Sequence, residues 1–255
     1  MTKTKTVSIL NIVMFIITIA INALAMIGLF GNTTANIANA IPNLMMPIGM
    51  TFQIIWTLIY ILLAIYTGYQ YVERDREDIR RIGVLYLVTN ILNMAWVLTF
   101  GAELLLVSTI IIIGLFATLY VIVHEIDNSN KFVKTTFNIY YAWITVASVV
   151  SIFTYISSLS PTLFDSTLIK LTAVGSMVIL VILTYLRRKE FGYSLTILFA
   201  IIGILAKHIF EYKSAYPEIV TMGIIVVILG IFISLISFIE LNSPKSRKLI
   251  KTGAK

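Results

Sequence analysis

With 255 residues, 59% of them hydrophobic and only 12% charged, the chain lies outside the composition of a soluble globular domain, where about a quarter of residues are charged. The net charge of +7 would suit nucleic acid, but no basic stretch is interleaved with stacking aromatics; basic residues holding cytoplasmic loops in place explain it better. Cysteine is absent, which excludes disulfides, thiolate chemistry, iron–sulfur clusters and cysteine-based zinc sites.

A bilayer core is about 30 Å thick and takes about 20 apolar residues to cross as a helix. Runs of that length recur along the chain, and irregular backbone facing lipid would leave its amides unsatisfied, so each run is expected to be a helix. Strand alternation of a β-barrel is missing: Ile110-Ile111-Ile112-Ile113 and Ile224-Ile225-Val226-Val227-Ile228 are apolar on every side. The first run, 7–30, exceeds the ~7–15 residue core of a signal peptide and reads as a mature helix. The others are 51–72, 82–100, 104–124, 135–157, 167–186, 191–210 and 218–241. Polar segments 73–81 and 124–134 are firm breaks, whereas Gly101-Ala102-Glu103 suits a tight helical hairpin. The predicted fold class is all-α: a polytopic membrane helix bundle of about eight spans, with seven still allowed near the C-terminus.

Sorting Lys and Arg by alternate loops puts 16 of the 19 on one side, leaving Lys170, Lys207 and Lys213 on the other. Basic loops stay inside, so a multi-pass cell-membrane protein with both termini cytoplasmic is expected. The loop 31–50 is on the outer side. It has no charge but carries Asn32, Asn36, Asn39, Asn43, Pro42 and Pro47. It reads either as a lid over the bundle or as an ordinary surface loop. Asn32-Thr33-Thr34 matches a glycosylation acceptor, a common chance match.

Polar side chains in hydrocarbon face the bundle interior or a cavity. On the second span Phe52, Trp56 and Tyr60 are spaced by four and share a face. The third span carries Asn90, Asn93, Trp96 and Phe100, and the fifth carries Tyr140, Trp143, Ala147 and Ser151, at like spacing. Such stripes serve helix packing and interfacial anchoring, or they wall a site for a planar, mostly apolar molecule. Asn93 favours the second, because a mid-membrane amide needs a partner from another helix or a ligand.

Three blocks resemble the TspO/MBR family, the tryptophan-rich sensory proteins that include the mitochondrial translocator protein. Pro47 to Tyr60 resembles the proline-rich entry into helix two with its Phe-x3-Trp-Thr-x2-Tyr core. Asn93-Met94-Ala95-Trp96-Val97-Leu98-Thr99-Phe100 is similar to the Asn-x2-Trp-x3-Phe of helix three, and Tyr140-Tyr141-Ala142-Trp143-Ile144-Thr145-Val146-Ala147 to the Tyr-x2-Trp-x3-Ala of helix five. The chain departs from that pattern at Ile48, where a second proline is usual, at Ser151, where Asn is common, and in having no Trp in the first loop. The resemblance implies a five-helix bundle over residues 1–157, leaving a three-helix unit at 158–241 and a basic tail at 242–255. It also implies a homodimer and a pocket beneath the first loop for a hydrophobic ligand: a porphyrin or haem-like tetrapyrrole, a sterol or a drug-like molecule. Pro47, Trp56, Tyr60, Asn93, Trp96, Trp143 and Ala147 would line it by matched position, and Phe52 and Tyr140 join them from the same stripes.

Other chemistry is sparse. His124 and Glu125, with Asp127 nearby, and His208 with Glu211 lie at span ends on opposite membrane sides and read as solvated helix ends, offering at most two ligands each. Lys207 is placed to snorkel to the interface. No set of residues supplies acid, base and nucleophile together, and no metal site or catalytic residue is expected. The expectation is a non-enzymatic receptor or carrier for a hydrophobic planar molecule within the lipid bilayer, with no nucleic-acid partner. A secondary transporter of a small solute and a structural membrane subunit are the alternatives.

Overall fold

The computed structural model describes residues 3–126, 130–160, 164–187 and 189–242. Most of the expected basic tail, together with Asp127 and Arg188, lies outside them. Regular structure among the described residues is entirely helical: α1 (Lys3–Met26), α2 (Thr34–Ala40), α3 (Gly49–Val72), α4 (Glu77–Gly101), α5 (Leu105–Glu125), α6 (Lys131–Leu159), α7 (Thr167–Leu186), α8 (Phe191–Phe210) and α9 (Pro217–Asn242). All but α2 are long and apolar enough to cross a membrane, eight spans among the described residues. The chain is a multi-pass membrane protein.

Lipid is as apolar as the interior, so hydrophobicity does not decide which helix face turns inward; size, shape and polarity do. In α3, Ile54, Leu58, Ile61 and Ile65 face outward, while Ile55, Ile59, Leu63 and Tyr66 are buried, each set at steps of three and four, with Trp56 buried beside Ile55. Helix α4 packs between α1 and α5, and α6 packs against α5 and α3. These five spans enclose the aromatic core. Helices α7 to α9 pack on one another, and α8 joins them to α6. Gly192 permits this junction: a Cβ there would lie 3.1 Å from Ile139 and 3.3 Å from Thr135.

A polar seam fixes α1 in register with α4. Asn11 Nδ2 donates to Gln70 Oε1 of α3 (3.0 Å) and to the Gly83 carbonyl (2.9 Å). Thr18 Oγ1 lies 3.3 Å from Asn90 Oδ1, and Asn22 Nδ2 donates to Asn93 Oδ1 at 2.8 Å. The spacing 11, 18, 22 keeps all three on one face of α1.

Span ends gather in two sets. Arg81 reaches Glu125 (3.5 Å), Asn130 reaches Asp78 (3.3 Å), and Lys134 pairs with Glu190 at 2.6 Å. At the opposite end the Asn32 amide donates to the Gly101 carbonyl (2.9 Å) and Tyr216 to Asp165 (3.0 Å). The structure thus alternates as the charge pattern requires.

Helices α4 and α6 begin at Glu77 and Lys131, inside the polar segments expected as breaks, so those breaks are shorter than the sequence suggests, and two further boundary differences have a visible cause. The first helix stops at Met26 and not at residue 30, because Gly28 takes a left-handed φ of +78° and closes the turn onto Ala25. Hydropathy runs on through Ile27, Leu29 and Phe30 and hides that end. The first loop contains a helical turn, α2, capped by Thr33, whose hydroxyl accepts from the Asn36 amide at 3.1 Å. The tight hairpin after α4 is present, with Glu103 at φ 58°. Gly31 is required beside it, since a Cβ would come within 2.5 Å of the Gly101 carbonyl.

Gly203 of α8 lies so close to Thr51 that a Cβ would meet its Cγ2 at 2.7 Å and its Cβ at 2.8 Å. Gly203→Val is therefore expected to lower stability in detergent by about 1–3 kcal/mol, whereas Gly175→Ala, which meets nothing within 4 Å, leaves the melting temperature unchanged or raised. Asn22→Leu strands the Asn93 oxygen and is expected to cost about 0.6–1.7 kcal/mol by the same assay. An unchanged melting temperature for Asn22→Leu would show that the seam does not hold the bundle.

Candidate functional site

The three aromatic stripes meet. Trp56 is the hub: its ring lies 5.3 Å from Tyr60 and 5.9 Å from Trp96, both stacked, and edge-on to Tyr140 at 6.1 Å and Trp143 at 6.4 Å. Phe52 closes the circle, 6.1 Å from Trp56 and 5.7 Å from Trp143. Spacings of three and four turned each set to one helix face, and the packing of α3, α4 and α6 turned those faces together. All three Trp are buried, and none of their indole N–H groups has a hydrogen-bond partner among the described residues.

Asn93 lies at the α1 side of this cluster, 1% exposed. Its oxygen accepts from Asn22, and its Nδ2 donates to the Tyr140 hydroxyl at 3.4 Å. The partner that a mid-membrane amide needs is therefore supplied by α1 and α6.

Beside the cluster is a small cavity of about 20 Å³, room for one water-sized particle and far below the several hundred Å³ of a ligand pocket. Phe52, Trp96 and Trp143 wall it, Pro47 lies against it, and Ala147 opens space on α6. Of the nine residues singled out in the sequence, those five line the cavity, while Trp56, Tyr60, Asn93 and Tyr140 pack around the same rings. Thr34, Met46, Phe100, Val150 and Ser151 line it as well. Phe100 and Ser151 were on the legible stripes; Thr34 and Met46 come from the loop, where no periodicity marked them. The rings are packed closed, and a planar ligand needs them, or the loop above, to move.

That loop is a lid in its geometry. Leu44 and Met45 are fully buried and Ile37 is 2% exposed, so the segment wedges into the bundle and does not lie on its surface. Asn43 anchors it to α6, donating to the Val150 carbonyl (2.9 Å) and to Thr154 Oγ1 (2.8 Å), while its Oδ1 accepts from the Met45 amide at 2.8 Å. Two more ties come from α8: the Ile48 amide donates to the Gly203 carbonyl at 3.0 Å, and His208 Nε2 lies 2.9 Å from the Leu44 carbonyl.

His208 corrects the sequence expectation. It is not a solvated helix end but has no exposed surface, enclosed by the rings of Tyr212 (5.1 Å) and Tyr216 (5.8 Å). Lys207 does not snorkel free either: it is 5% exposed, with its Nζ 3.6 Å from Glu211 and 5.7 Å from the Tyr212 ring centre. The chain after α8 folds back over the lid and covers both, which local composition could not show. Burial pushes the Tyr212 hydroxyl above its usual range, and burial with the Asp165 carboxylate beside it pushes Tyr216 up to about 12. Both remain neutral phenols near pH 7.

His124 lies among the basic span ends. Its Nδ1 is 2.7 Å from the Tyr120 carbonyl and its Nε2 3.4 Å from Arg187, whose guanidinium also lies over the Tyr141 ring at 4.7 Å. The two histidines are thus held at opposite ends of the bundle.

Neither the curated proteins nor the solved structures contain a match to this chain. A family model described as TSPO-like protein matches residues 8–237, running through α7 and α8 into α9 as well as the five-helix bundle. The match spans most of the molecule, takes in every residue of the aromatic cluster, and agrees with the eight-span all-helical bundle. The chain belongs to the TSPO-like protein family.

Proposed function

We propose that this protein is a membrane receptor or carrier that binds a hydrophobic planar small molecule, tetrapyrrole- or sterol-like, at the aromatic cluster beneath the first loop. One observation carries the reading: three indole N–H groups, on Trp56, Trp96 and Trp143, are buried in one cluster without partners among the described residues, and Trp96 and Trp143 line a cavity there. An unmet donor away from water costs about 1–3 kcal/mol, and helix packing alone gives no return for three of them in one place. A flat apolar molecule with acceptor atoms on its rim meets both needs, since rings stack on its body and indoles donate to its edge.

In this reading the lid governs entry, and the molecule is not an enzyme: it binds and releases its ligand unchanged. The basic span ends are assigned to the cytoplasm and the lid to the outer side of the cell membrane. A second copy of the chain is included as a partner on the strength of the family resemblance.

All three Trp lie in the cluster, so the protein's own fluorescence reports on it. Titrating purified protein with protoporphyrin is expected to quench that emission saturably. Trp143→Ala, which removes a wall and a free donor, is expected to weaken binding about tenfold, and Asn93→Ala by less, through loss of the ties to Asn22 and Tyr140 that position the rings. Linear, unsaturable quenching by porphyrin, sterol and apolar drug-like probes alike would sink the proposal.

A further inference from the structure

We propose that His208 of α8 is a proton-responsive latch that holds the first loop closed over the aromatic cluster. The inference rests on the loop being the lid of the proposed site, and it gives a part in that site to α8, outside the aromatic cluster.

A carbonyl only accepts, so the 2.9 Å contact with Leu44 requires the hydrogen on Nε2. Nδ1 is then a bare lone pair, and it is buried with no hydrogen-bond partner among the described residues. The neutral ring fits this place. A proton on Nδ1 creates a second donor and a charge, both buried, with nothing to receive them.

The surroundings do not supply relief. On α8 itself the adjacent Lys207 is cationic and already faces Glu211 at 3.6 Å. Tyr212 and Tyr216 present ring faces and edges, and the Tyr216 hydroxyl is committed to Asp165. From α9 comes Glu218, which also has Lys170 of α7 3.8 Å away. From the lid come Asn43 and Leu44, uncharged. An imidazolium here gains most by reaching water, and parting from Leu44 is the movement that exposes it. Protonation therefore loosens the wedge formed by Leu44 and Met45, while Asn43 on α6 and Ile48 on Gly203 remain as the hinge side.

The chain has no cysteine, so single thiols report lid opening without background. Met46→Cys places a thiol under the lid, where Met46 is 5% exposed. Asn39→Cys places one on the lid's exposed face and corrects for the pH dependence of the thiol itself. The readout is the ratio of maleimide labelling rates, Met46→Cys over Asn39→Cys, on the full chain in detergent without ligand. Between about pH 8 and about pH 5, which spans the ordinary imidazole titration, the ratio is expected to rise about tenfold, equivalent to one pH unit of linkage. His208→Gln keeps an N–H for Leu44 but takes no proton, and should hold the low ratio throughout. His208→Ala should give the high ratio at every pH; if it fails to fold, the parent and the Gln variant decide alone. A flat ratio in the parent, or an equal rise in His208→Gln, overturns the latch. Porphyrin quenching is measured separately, so failure of binding with pH-dependent labelling leaves the latch standing, and the reverse result leaves the binding site standing.

Discussion

An amide in the middle of a membrane cannot turn to water, and Asn93 resolves this by joining three helices. Its oxygen takes the hydrogen of Asn22 on α1, and its nitrogen reaches Tyr140 on α6. Interhelical bonds of this kind average about 0.6 kcal/mol in membranes and reach about 1.7, so their value here is in direction more than in strength. With α1, α4 and α6 pinned at that level, the stripe on α4 has one rotation open to it. Trp96 is then brought against Trp56, and Trp143 against both Trp56 and Phe52. Lower down the same seam, Asn11 ties α1 to both α3 and α4 and keeps the bundle from sliding in register.

The second constraint acts at the rim. A loop of 20 or so uncharged residues has little reason to remain in water, and its apolar members, Ile37, Leu44 and Met45, insert instead. Inserting them drags backbone polar groups into a dry place, so each needs an acceptor or donor from the bundle. Asn43 turns back on its own chain and out to α6, while α8 supplies the Gly203 carbonyl and the His208 imidazole. The three C-terminal helices are thereby more than ballast: α8 touches the lid, and Gly203 gives the clearance for it to approach α3.

Much of this was legible in the sequence. Span number, the alternation of sides and the placing of each aromatic set on one helix face follow from hydropathy, charge and helical spacing, which are local or additive properties, whereas the meeting of those faces was implied only by the family resemblance. What escaped depends on tertiary contact. Asn22 lies inside the first apolar run without an aromatic stripe beside it, and nothing marks it until α4 places Asn93 opposite. His208 looks solvated because its neighbours Lys207 and Glu211 are charged; its burial comes from Tyr212 and Tyr216, where the chain turns after α8, and from Leu44 of the distant first loop. The end of α1 was hidden because Ile27, Leu29 and Phe30 stay apolar, and only the left-handed Gly28 marks it. The volume left between the rings, about 20 Å³, is a property of packing that no spacing rule predicts.

The aromatic cluster is therefore closed, furnished with three donors that have no partner among the described residues, and roofed by a segment that α6 and α8 hold down. The claim that these rings open around a ligand is best tested by fluorine NMR of the chain with fluorotryptophan at its three Trp positions. Adding protoporphyrin should move all three resonances along one saturation curve, because one molecule contacts a single cluster. Resonances that stay fixed at saturating porphyrin, or a shift confined to one of them, would mean that the rings are packing and nothing more.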